Sequence, residues 1–122
     1  MVRMKEFKKG YLPNDSHSAK VMGSGTLDVL ATPAVIAFAE NCCEQLLSHD
    51  LSENQASVGT WIDMAHKRAS KTKSEIVVCA HIIEQTPKGA SFEFKVTCGD
   101  ELVAVGKHKR AVIDIERFMA NV

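Results

Sequence analysis

Two periods divide the chain. From Ala34 to Ala39 apolar residues fall on every side of a helical projection, and polar residues gather only further on, at Glu40, Asn41, Glu44 and Gln45. A run apolar all round predicts a buried helix rather than a surface one. Thr32-Pro33 marks its start, since a threonine hydroxyl can cap free amides and proline is favoured at the first helical position. The helix should run through Leu47 and end near Ser48–Asp50. From Ala56 onward the period falls to about two. Ser57–His66, Glu75–Glu84, Ser91–Cys98 and Leu102–Asp114 each read as strands. Ser70–Ser74, Pro87-Lys88-Gly89 and Gly99-Asp100 are the turns between them. Ahead of the helix, Pro13-Asn14-Asp15 marks a turn with a strand before it and another near Ser18–Met22. A loop then runs from Gly23-Ser24-Gly25 to Ala31. Ile115–Val122 adds a helical turn at the end.

One helix is buried on all sides by a small sheet only if the sheet wraps around it. The pattern therefore predicts an α+β hot-dog fold, an antiparallel sheet around one long central helix, with residues 1–122 as a single domain. Short links make successive strands neighbours in a meander. Such a sheet leaves an exposed edge that a second copy can extend, so a homodimer, or a dimer of dimers, is expected.

Composition narrows the function classes. Fifteen basic and fifteen acidic residues give no net charge, which argues against a nucleic-acid partner, because phosphate neutralisation supplies most of that affinity. The N-terminal lysines lack an apolar stretch behind them, and the most apolar run carries two glutamates, so neither a signal peptide nor a membrane span is expected. A cytoplasmic location follows as the expectation. Cys42, Cys43, Cys79 and Cys98 form no CxxC pair and read as reduced thiols. There is no HExxH, GxGxxG, P-loop or GxSxG, so no metal and no cofactor is expected beyond what a substrate carries.

Three residues stand out chemically. Glu40 lies mid-helix among apolar neighbours, where an unpaired carboxylate would cost several kcal/mol. Thr32 places a hydroxyl at the helix mouth, where the dipole favours a developing oxyanion. His66 closes the first strand after the helix, and imidazole is the natural general base near neutral pH. His17 and His49 read as loop residues and His81 as a strand position. Gly106-Lys107-His108-Lys109-Arg110 reads as a solvated face.

The stretch Gly23-Ser24-Gly25-Thr26-Leu27-Asp28-Val29-Leu30-Ala31-Thr32-Pro33-Ala34, then Glu40-Asn41, Val58-Gly59-Thr60 and His66, resembles the hot-dog thioesterases related to fluoroacetyl-CoA thioesterase. The likeness spans roughly residues 20–120. It implies acyl-CoA hydrolysis at a dimer-interface pocket, with coenzyme A entering as part of the substrate. It implies that Thr32 and Glu40 polarise or attack the thioester, that His66 is the base, and that the Gly59 backbone lies against the substrate. Whether Thr32, Glu40 or a water attacks stays open at this stage. Two departures matter. Residues 23–31 hold no phenylalanine gate, which argues against fluoroacetate specificity. Lys67-Arg68 follows the histidine where relatives have an apolar residue and proline; the pair is either a solvated turn or a contact for coenzyme A phosphates. The acyl group depends on how Met22, Phe38 and Trp61 pack. A non-catalytic acyl-CoA or acyl-carrier binding module is the alternative, with an enoyl-CoA hydratase behind it for want of an Asp/His pair.

Overall fold

The computed structural model describes residues 5–122. Strand β1 (Glu6–Tyr11) is followed by a 3-10 turn and a short helix α1 (Ala19–Met22). The long helix α2 (Thr32–Ser48) comes next, then β2 (Gln55–His66), β3 (Ile76–Thr86), β4 (Gly89–Cys98), β5 (Glu101–Asp114) and a terminal helix α3 (Ile115–Ala120). All strands pair antiparallel in one sheet ordered β1-β3-β4-β5-β2. The α+β architecture of a sheet around one helix is as expected.

Two expectations fail. Successive strands β2 and β3 are not neighbours: β2 pairs with β5 instead, and only β3-β4-β5 form a meander. The segment 67–75 is long enough to cross from one sheet edge toward the other, whereas the two-residue turns at 87–88 and 99–100 force adjacent pairing. Nor is Ser18–Met22 a strand. The Ser18 hydroxyl accepts from the Val21 amide at 3.0 Å and starts a helical turn that Gly23 ends in the left-handed region, at φ 78°. The expected first strand is β1, though residues 1–4 lie outside the described residues.

Helix α2 buries Ala34, Val35, Ala39, Cys42, Cys43, Leu46 and Leu47 against Ile76, Val78, Phe92, Phe94 and Val96 of the sheet. It is not covered all round, because Pro33 and Ala37 are exposed and Ile36 and Glu40 are half-buried. Both uncovered apolar residues lie on the helix flank that the single sheet leaves open. On the other flank, the Tyr11 hydroxyl donates to Asn41 Oδ1 at 2.7 Å and Lys9 Nζ to Gln45 Oε1 at 3.1 Å, tying β1 to the helix. Burial pushes the Cys42 thiol up to about 11 and the Cys43 thiol up to about 12, which suits small core groups with no thiolate chemistry.

One irregularity governs the site. The β2–β5 register shifts between Gly59 and Trp61, so Thr60 is an extra residue, and its hydroxyl donates to the Lys109 carbonyl at 3.2 Å. Gly59 and His66 are seven positions apart, and an odd spacing in a regular strand places them on opposite faces. The bulge restores the phase, so Gly59 opposite Arg110 and His66 opposite Ala104 both belong to the helix face.

Candidate active site

Thr32 is the first residue of α2 and Ala31 is its N-cap, with no side-chain capping bond. The expected capping role is therefore not the one Thr32 takes. Its hydroxyl instead meets the imidazole of His66, with Oγ1 2.7 Å from Nδ1. The end of β2 carries His66 to this point, while the Ala31 amide, hydrogen-bonded to the His17 carbonyl at 2.9 Å, holds the helix mouth in place. A cleft of about 310 Å³ opens here, lined by Val29, Leu30, Thr32, His66, Lys67 and Arg68 among others. Arg68 reaches Glu101 at 3.4 Å, an exposed pair that is worth little on its own. His66 Nε2 is buried and has no hydrogen-bond partner among the described residues.

Glu40 lies elsewhere. Eight residues along a helix amount to about 12 Å of rise and about 80° of rotation, so Thr32 and Glu40 are not adjacent on α2. The Glu40 carboxylate faces β2 and β5, with Oε2 3.8 Å from an Arg110 guanidinium nitrogen and 3.8 Å from His108 Nε2. A Cβ on Gly59 would come within 2.7 Å of Glu40 Oε2 and 3.1 Å of His108 Cε1. Within one chain, then, the space that a side chain at position 59 would need belongs to the Glu40 carboxylate.

The polar partners of Glu40 come from the stretch expected to be a solvated face. His108 and Arg110 do not form a solvated face; His108 is 1% exposed and the Arg110 side chain 8%. Arg110 donates from Nε to the Ser57 hydroxyl at 2.8 Å and from its terminal nitrogens to the Ser57 carbonyl at 3.0 Å and His108 Nε2 at 3.1 Å. The Trp61 carbonyl, 2.7 Å from Nδ1, can only accept, so the His108 proton sits on Nδ1 and its Nε2 accepts from Arg110. Burial lowers the His108 pKa and keeps the ring neutral. Arg110 is thus the cation facing Glu40. Parity along β5 was the available signal: Gly106, His108, Arg110 and Val112 alternate with exposed Lys107 and Lys109.

Phe38 stacks on Tyr11, with ring centroids 5.0 Å apart, and meets His17 edge-on at 4.9 Å. Trp61 lies on the outer sheet face beneath Lys109, whose Nζ is 5.2 Å from the ring centroid. Neither ring lines the Thr32–His66 cleft.

Comparison with known proteins places the chain in a family. The family model described as fluoroacetyl-CoA-specific thioesterase (FlK) matches residues 14–116. The chain belongs to that family. Membership makes it a thioester hydrolase. The fluoroacetyl-CoA thioesterase of Streptantibioticus cattleyicolor is 27% identical over 95 residues, covering 78% of this chain and 68% of that protein. A solved structure of a variant of the fluoroacetyl-CoA thioesterase FlK in complex with acetyl-CoA superposes with a TM-score of 0.91 at 20% identity, over 99% of this chain and 96% of the other. A hot-dog-like protein from Thermanaerovibrio acidaminovorans matches at TM-score 0.84 and 14% identity, over 95% and 86% of the two chains. These two likenesses carry the fold, which is the hot-dog fold expected from the sequence.

Proposed function

We propose that this member of the thioesterase family hydrolyses small or medium acyl-CoA thioesters at a pocket completed between two copies of the chain. The observation that carries the reading is the 2.7 Å contact between Thr32 Oγ1 and His66 Nδ1 at the positive end of α2, inside an open cleft. An imidazole placed there takes the proton of whichever group attacks the thioester carbonyl, the Thr32 hydroxyl itself or a water that Thr32 orients. The helix N-terminus offers its dipole to the oxyanion. Lys67 and Arg68, at the rim of the same cleft, supply cations for the coenzyme A phosphates.

Glu40 enters from the second copy. Within one chain it is about 12 Å along the helix from Thr32, yet β2 is a sheet edge and the neighbouring flank of α2 is uncovered. Two such edges related by a two-fold axis pair into one continuous sheet and bring each helix mouth toward the middle of the other helix. Glu40 and Arg110 of the partner subunit would then face the Thr32–His66 pair across the bound acyl group. Free thiols at all four cysteines suit a cytoplasmic homodimer. Among the described residues no helix is long and apolar enough to cross a membrane. The absence of phenylalanine from residues 23–31 argues for acyl groups other than fluoroacetyl.

The test is a screen of acyl-CoA esters from acetyl to long-chain and aryl, on the native chain and on Thr32→Ala, Glu40→Ala and His66→Ala. Each substitution should lower kcat by about 10²-fold or more, the scale of a lost general base or oxyanion group. Binding without turnover, indifferent to His66→Ala, would instead mark a non-catalytic acyl-CoA or acyl-carrier module.

A further inference from the structure

A second cluster of reactive side chains lies on the opposite face of the sheet, away from α2. Glu6 pairs in register with His81 across β1 and β3, and Cys79, two residues before His81, shares its face. Cys79 Sγ is 3.2 Å from Glu6 Oε1, and His81 Nε2 is 3.3 Å from the same oxygen. All three donor atoms fall within 4.8 Å of one another.

We propose that Glu6, Cys79 and His81 bind a zinc ion that fastens the edge strand β1 to β3. Zinc takes thiolate at about 2.3 Å and imidazole or carboxylate at about 2.0–2.2 Å, so the edges of its tetrahedron measure roughly 3.3–3.6 Å. The two distances to Glu6 Oε1 already lie at the short end of that span or just below it, and the remaining edge, from Cys79 Sγ to His81 Nε2, lies within 4.8 Å and is the one that side-chain rotation has to adjust. One sulfur, one nitrogen and one oxygen donor make a set that zinc accepts and that magnesium or calcium does not. Three protein ligands leave a fourth position for water, and a cleft of about 420 Å³ lined by Lys8, Val77, Lys95 and Thr97 with the three ligands gives access to it. Lys8 and Lys95 flank the site and oppose a free cation. Zinc, however, displaces the thiol proton, so the dication, the thiolate and the carboxylate sum to zero and leave no net charge for the lysines to repel. The consequence is mechanical. The inner face of β1 holds α2 through Lys9 and Tyr11, and the metal secures its outer face. This inference rests on no part of the proposed catalytic reading.

The probe is cobalt(II) or zinc alone, added to the full chain freed of metal by chelation. One equivalent of cobalt(II) should give a near-ultraviolet thiolate-to-metal charge-transfer band in the native chain and in His66→Ala. The band should vanish in Cys79→Ser and weaken in Glu6→Gln, an exposed change that leaves the core untouched. Zinc at 100-fold over its Kd should raise Tm by about 10 °C in the native chain and not in Cys79→Ser. A native chain with neither the band nor the shift, or a band that persists in Cys79→Ser by way of the other three cysteines, overturns the proposal.

Discussion

The two ends of the reactive surface of α2 differ in how fully their polar groups are matched. At the helix mouth, Thr32 and His66 have each other, the imidazole keeps one buried nitrogen unpartnered among the described residues, and the cleft is open. Halfway along, Glu40 faces Arg110, which is itself bonded to Ser57 and His108, and the Gly59 backbone closes against the carboxylate. One region is short of a charged partner and the other is a packed network. A hydroxyl and imidazole lie at the helix mouth, and the acid is held apart from them on the same rigid helix. The difference is what the proposed two-chain pocket would account for: the parts of one constellation lie at two separate places on each copy.

The strongest way to break that comparison is complementation. Thr32→Ala and Glu40→Ala, each nearly inactive alone, should recover activity when co-expressed. Half the dimers are then mixed, and one of their two sites is intact, so about a quarter of native kcat returns. That is a recovery of at least twentyfold over either variant when each has lost about 10²-fold. Turnover that stays at the level of the single variants would mean each site is built inside one chain, and the separation along α2 would then need another account.

Gly59→Ala sharpens the same contrast with a smaller effect. The new methyl would meet Glu40 Oε2 at 2.7 Å, and because that atom ends a flexible, half-exposed side chain, the carboxylate swings away while the backbone stays. Stability should fall by only about 1 kcal/mol, as for mild overpacking, read as a small drop in Tm. A displaced carboxylate should lower kcat on the order of tenfold. If KM rises while kcat holds, Gly59 lies against the substrate, as the family resemblance implies, and its contact with Glu40 is incidental.

What the sequence disclosed follows the same physics. The all-round apolar run at Ala34–Ala39 and the period-two segments disclosed the helix, the strands and the wrapped sheet, because burial imposes those periods. Thr32, Glu40 and His66 stood out as residue types and spacings; the structure brings Thr32 to His66 and sets Glu40 against Arg110 and His108 instead. The exchange of neighbours between β2 and β3 was not legible, since a nine-residue link at 67–75 permits either pairing. The bulge at Thr60 was hidden as well, although without it Gly59 and His66 would face apart. His108 and Arg110 were hidden by their own charge: in a run of basic residues, alternation is the only sign that two of them turn inward. Glu6, Cys79 and His81 come together across 73 residues of chain, beyond the reach of any local ligand spacing.

The smallest expected effect concerns the rim of the open end. Lys67 and Arg68 line the Thr32–His66 cleft, and among the described residues the only salt bridge either makes is that of Arg68 with Glu101, an exposed contact that a phosphate can replace at little cost. Arginine offers phosphate a bidentate, charge-assisted contact that water and an exposed glutamate match poorly. Replacing both residues with alanine should raise KM for a CoA ester by roughly tenfold, the worth of one such contact. KM for the corresponding pantetheine ester, which lacks the nucleotide and its phosphates, should not change, and kcat should hold for both, because neither side chain touches the thioester. An equal rise for the two esters would place Lys67 and Arg68 in the solvated turn that their composition also allows. It would leave the open end of the helix with the proposed catalytic pair but no handle for the coenzyme.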